Sequence, residues 1–130
     1  MSGIVFFATT RRSEVVDFYM DRLGFDLWLE QEGCTILRRE NLLLGFCDGD
    51  QADTDGIVTI VLDTTNEVES WYSRLQEMAN SEPVENERFE IYHFFGTDPE
   101  GRTVEIQTFL HDCVATTVRR AELTMVLGTA

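Results

Sequence analysis

The chain has 130 residues, with 24 acidic side chains against ten basic ones, all arginine, and a formal net charge of −14. That charge repels phosphate backbones and anionic membrane surfaces, which argues against nucleic acid and acidic lipid as partners. No run approaches the ~18 apolar residues of a membrane span.

At this length one domain over residues 1–130 is expected. A cytoplasmic location is expected because no charged-then-apolar leader pattern opens the chain. The acidic groups are spread rather than gathered in a tail. They read as a solvated, halophilic-like surface whose self-repulsion salt screens, so stability should rise with ionic strength.

In chain order, Ile4 to Thr9 reads as a strand. A helix follows, with Ser13 as its expected N-cap and Gly24 as its stop, and with Val15, Phe18, Tyr19 and Arg22 on one face. Phe25 to Leu29, Cys34 to Arg38 and Leu42 to Phe46 read as strands. Cys34, Cys47 and Cys113 lack CxxC spacing and read as reduced thiols. Residues 48–56 form a polar linker whose Asp spacing is calcium-loop-like only at first sight, because Thr59 stands where an EF-hand needs its closing glutamate.

Ile57 to Leu62 then predicts a strand. A second helix is expected to start near Asn66 and Glu69 and to end at Ser81-Glu82-Pro83, with Val68, Trp71, Tyr72, Leu75, Met78 and Ala79 as its apolar stripe. A weak strand near Val84 leads into a hairpin of Phe89 to Phe95 and Thr103 to Phe109. Beyond it, Val114 to Val118 favours strand and Arg119 to Leu127 is ambiguous.

Two features dominate this pattern. The first is an internal repeat. Glu14-Val15, Phe18-Tyr19 and Arg22-Leu23 match Glu67-Val68, Trp71-Tyr72 and Arg74-Leu75, so each half reads βαβββ. The second is the segment FFGTDPEGRTVE from Phe94 to Glu105. Pro99 pre-sets φ and Gly101 can close a bulged three-residue loop. Asp98 then faces Arg102, Phe95 faces Glu105 and His93 faces Gln107. By alternation His93, Phe95, Thr103, Glu105 and Gln107 share one face.

With these residues the chain resembles the glyoxalase/bleomycin-resistance/extradiol-dioxygenase superfamily, the vicinal oxygen chelate proteins. The resemblance covers roughly residues 3 to 110. It implies an α+β fold of two tandem βαβββ modules, about 3–47 and 57–110, whose curled sheet surrounds a cleft, with residues 111–130 as an extension. It also implies a homodimer.

Metal-dependent members take ligands from the first strand of each module and a glutamate from the last, the position of Glu105 here. The first strands, Gly3 to Ala8 and Ile57 to Leu62, offer only Thr59, a poor candidate. The last strand of the first module, Leu42 to Phe46, offers none. One carboxylate does not hold a catalytic ion, which needs about three protein ligands, so no metal cofactor is expected.

The candidate ligand-binding residues are Phe6, His93, Phe95, Thr103, Glu105 and Gln107, with Phe6 on the cleft floor. Glu105 reads equally well as a leftover ligand position paired with Arg102, His93 or a hydroxyl. Arg38 and Arg39 should point to opposite sides of their strand, and one could reach the cleft. His111 lies beyond the repeat.

Two functions fit these residues. One is a metal-free protein binding a small molecule in the cleft. The alternative is a divalent-metal-dependent lyase, isomerase or dioxygenase with a rearranged site.

Overall fold

The computed structural model describes residues 3–111. The expectations for residues 114–127 lie outside the described residues. Ten elements follow in order: β1 (Ile4–Thr9), α1 (Arg12–Asp21), β2 (Asp26–Gln31), β3 (Cys34–Arg39), β4 (Leu42–Asp48), β5 (Ile57–Val61), α2 (Thr65–Arg74), β6 (Val84–Asn86), β7 (Ile91–Thr97) and β8 (Thr103–Phe109). The chain is α+β, two βαβββ units forming two four-stranded sheets ordered β1-β4-β3-β2 and β5-β8-β7-β6. The first strand of each unit pairs in parallel with its last, and the other pairs are antiparallel.

α1 packs on β3 and β4, and α2 on β7 and β8. Val15, Leu23, Val68 and Leu75, all from the repeated motif, are fully buried. Each such side chain contributes about 1.5–3 kcal/mol by leaving water. They belong to one apolar cluster with Phe46, Phe94, Val104 and Ile106, shared by both halves.

The repeated arginines join the halves reciprocally. Arg22 donates to the carbonyl of Arg74 at 2.6 Å, and Arg74 to that of Arg22 at 2.7 Å. Each satisfies a helix-end carbonyl that has no partner within its own helix.

Several boundaries differ from expectation. α1 begins at Arg12, not after Ser13, because the Arg11 carbonyl already accepts the first helical bond, from Val15 N–H at 3.1 Å. α2 is capped by Thr64, whose hydroxyl accepts from Glu67 N–H at 3.1 Å and donates to its carboxylate at 3.2 Å. That N-cap sits two residues before the expected one. α2 also ends at Arg74, well short of Pro83. Met78 leaves the helical path so that its carbonyl accepts from Thr97 N–H at 2.9 Å, and Ala79 forms a bridge with Gly96. β7 starts at Ile91 rather than Phe89, because Glu90 takes φ +53°.

The cysteine reading is also corrected. Arg39 pairs with Leu42 across the β3–β4 turn, and that register places Cys34 directly opposite Cys47. The two are joined by a disulfide, with Cα atoms 4.0 Å apart. The linker is not purely solvated either, since Asp53 accepts from Ala8 N–H at 2.7 Å and donates its own N–H to Ala8 O at 2.9 Å.

Candidate functional site

The β7–β8 turn sets the site. Asp98 N–H donates to Arg102 O at 2.9 Å, and Gly101 takes φ +94°, a conformation that suits glycine. The resulting register pairs Phe95 with Glu105 and His93 with Gln107. In the parallel β5–β8 ladder, Thr59 stands beside Glu105 and Ile57 beside Thr103. Val104 and Ile106 therefore face α2 and the core, while Glu105, Gln107, His93 and Phe95 face away from it.

The turn is also anchored to the other half. Arg102 is 1% exposed; it donates to Asp98 at 3.2 Å, to Glu100 at 2.9 Å and to Ala8 O at 2.9 Å. Tyr19 donates its hydroxyl to Asp98 at 2.9 Å, and burial first, then the Asp98 charge, pushes that phenol well above its usual range. This network fixes where β8 begins, and hence where Glu105 sits.

Glu105 accepts from the Thr59 hydroxyl at 2.9 Å through one oxygen, and the other lies 2.6 Å from His93 Nδ1. Both partners of the His–Glu contact are nearly buried, with side chains 9% and 12% exposed. The His93 ring meets Phe95 edge-on at 5.0 Å.

Around them lies a cavity of about 360 Å³, lined by Ile57, Asn86, Phe89, Ile91, His93, Phe95, Glu105, Gln107 and Phe109. Its walls are largely apolar, and Ile57, Phe89 and Phe109 remain exposed. An apolar cleft with a few convergent polar groups is the usual build of a small-molecule site.

Of the candidate residues, the fold brings His93, Phe95, Glu105 and Gln107 together. Thr103 lies on the same face at the start of β8, outside the cavity lining. Phe6 does not line this cavity. It stands on β1 in the other sheet, paired with Gly45, where its ring fills the space a Gly45 Cβ would need. Arg39 stacks over Trp71 at 5.1 Å, and Arg38 is exposed on the other side of β3. Arg102 is committed to Asp98 and Glu100, so Glu105 is held by His93 and a hydroxyl.

Sequence reasoning missed Ile57, Asn86, Phe89, Ile91 and Phe109 as lining. Ile57, Ile91 and Phe109 follow from strand alternation once the register is known. Asn86 and Phe89 depend on the β6–β7 turn, where Phe89 N–H donates to Asn86 at 3.3 Å.

The sequence matches no family model and no curated protein. Solved structures do match. A glyoxalase/bleomycin resistance protein/dioxygenase from Nocardioides aligns with a TM-score of 0.71 at 17% identity, covering 85% of this chain and 84% of that one. One from Burkholderia phytofirmans aligns at 0.72 and 16%, covering 82% and 97%. The chain has the glyoxalase/bleomycin-resistance/dioxygenase fold. A lactoylglutathione lyase from Agrobacterium tumefaciens also shares it, with a TM-score of 0.68 at 18% identity and coverage of 83% and 92%.

A divalent metal is often used on this fold, and the residues at the corresponding strand positions decide whether one can be held here. The step in sequence that carries Val15 to Val68 carries Phe6 to Thr59, and each is the parallel partner of a last-strand residue, Gly45 or Glu105. Where a ligand pair would stand, the first half therefore offers an aromatic ring over a glycine. The second offers a hydroxyl bonded to the single carboxylate. Among the described residues, no group of three or more His, Cys, Asp and Glu could hold an ion. These residues do not fit a catalytic divalent metal.

Proposed function

We propose that this protein binds a small, mostly apolar molecule on the open face of the β5-β8-β7-β6 sheet, without a metal. The observation that supports this best is that both Glu105 oxygens are already bonded, to Thr59 and His93, beside an apolar cavity of about 360 Å³. A single carboxylate bonded to a hydroxyl and an imidazole orients these neighbours and does not by itself hold a catalytic cation. Glu105 and the net charge of −14 disfavour anionic ligands, which leaves neutral or cationic ones.

The enzyme reading draws on the lyase that shares the fold, but it needs ligands that the first half lacks. A homodimer is part of the proposal, since Val5, Leu27, Trp28 and Leu29 are exposed apolar side chains on the first half. No described helix is long and apolar enough to cross a membrane. We propose a cytoplasmic location as well, where the Cys34–Cys47 disulfide would be exposed to reduction.

The test is a thermal-shift screen with neutral aromatic compounds, repeated on Ile57→Asp. Ile57 is 57% exposed, so the substitution puts a charge on the cavity rim while leaving the fold intact. Compounds that stabilise the native chain should lose at least half their shift in the variant. Equal shifts in both would place binding elsewhere.

A further inference from the structure

From the His93–Glu105–Thr59 contacts we infer that the cleft selects neutral planar ligands carrying one hydroxyl or N–H donor, the phenol and enol class, by accepting that proton's hydrogen bond at His93 Nε2. This rests on the binding reading above and names the ligand chemistry of the same site.

The Glu105 carboxylate accepts, so in its 2.6 Å contact with His93 it is Nδ1 that donates. Thr59 holds the other oxygen at 2.9 Å and fixes the carboxylate's orientation. In the neutral form of the ring the single N–H is the one spent on Glu105. Nε2 is then a lone-pair acceptor, held in one tautomer by its neighbour.

A ligand in the cavity therefore meets an acceptor beside apolar walls. An acceptor that a ligand covers and leaves unmatched is costly, so an analogue without the donor loses affinity although its shape still fits. The rings of Phe95 and Phe109 and the side chain of Ile57 favour a flat apolar body. Gln107 and Asn86 line the same cavity and can take further polar substituents.

The experiment uses the native chain with 2-naphthol and 2-methoxynaphthalene as probes, which share a ring system and differ in the donor. Fluorescence titration should show 2-naphthol binding about five- to tenfold more tightly, the worth of one neutral hydrogen bond. In His93→Phe, which keeps a ring and removes the acceptor, the two affinities should become equal, with the methoxy compound still bound.

Because that variant leaves Glu105 with Thr59 alone, a second readout uses the native protein. Nitrogen NMR of its two histidines, with the variant assigning the His111 signals, should show His93 protonated at Nδ1 and unprotonated at Nε2. Equal affinities for the two probes in the native chain would overturn the ligand class while leaving the binding site standing. A proton on Nε2 would overturn it too. Failure of both probes to bind would instead remove the binding reading and this inference with it.

Discussion

Glu100 shows how a single side chain ties the halves together. Its carboxylate receives Thr10 N–H at 2.9 Å, the Thr10 hydroxyl at 3.0 Å and Arg102 at 2.9 Å, together with the Thr9 hydroxyl. Burial alone would raise its pKa, but these donors outweigh it, Thr9 foremost, and bring it from 4.5 to about 2. A carboxylate with a lowered folded pKa stabilises the fold above its unfolded value, and that stability is lost as pH falls from about 4.5 through about 2. Glu100→Gln should therefore lower stability at pH 6 and flatten its decline towards pH 2, as measured by urea unfolding across that range. An unchanged acid slope would contradict this role. The sequence showed Glu100 only as a turn residue, because its partners Thr9 and Thr10 lie on the far side of the chain. The pairing of Asp98 with Arg102, four residues apart, was legible from the turn itself.

Among the elements, what could be read depended on how local the determinants were. The β7–β8 register followed from Pro99 and Gly101, and so did the shared face of His93, Phe95, Glu105 and Gln107. The Cys34–Cys47 opposition was equally local, but it needed a two-residue turn at Glu40-Asn41 in which Glu40 takes φ +52°, a conformation its residue type does not announce. The end of α2 was not legible. Met78 and Ala79 fit the helical stripe, yet Met78 is buried against Gly96 instead. A Cβ at position 96 would come within 2.3 Å of Met78 Sδ and 2.7 Å of Met78 O. The sulfur can move, but the carbonyl is held by Thr97 N–H at 2.9 Å. Gly96→Ala should thus cost about 1–3 kcal/mol in denaturant unfolding. A midpoint within error of the native one would show that the 78–80 segment yields freely.

At the scale of the whole molecule, duplication made the fold readable and obscured the site. The repeated motif supplies the buried Val15, Leu23, Val68 and Leu75 and the reciprocal Arg22–Arg74 bonds, so two βαβββ units were legible. The pocket was legible only on its β7–β8 side, at His93, Phe95, Glu105 and Gln107, because equivalent positions have diverged to Phe6 over Gly45 in one half and Thr59 beside Glu105 in the other. Charge acts on the same scale. With a net charge of −14 the folded chain repels itself, so its melting temperature should rise from dilute to molar potassium chloride. A melting temperature indifferent to salt would mean that the acidic groups are already balanced locally. The claim that ties these scales together is that the cleft works without a metal. Its most direct test compares ligand-induced thermal shifts before and after exhaustive chelation. The same shifts are expected in both samples, whereas shifts abolished by chelation and restored by zinc or manganese would contradict a metal-free cleft.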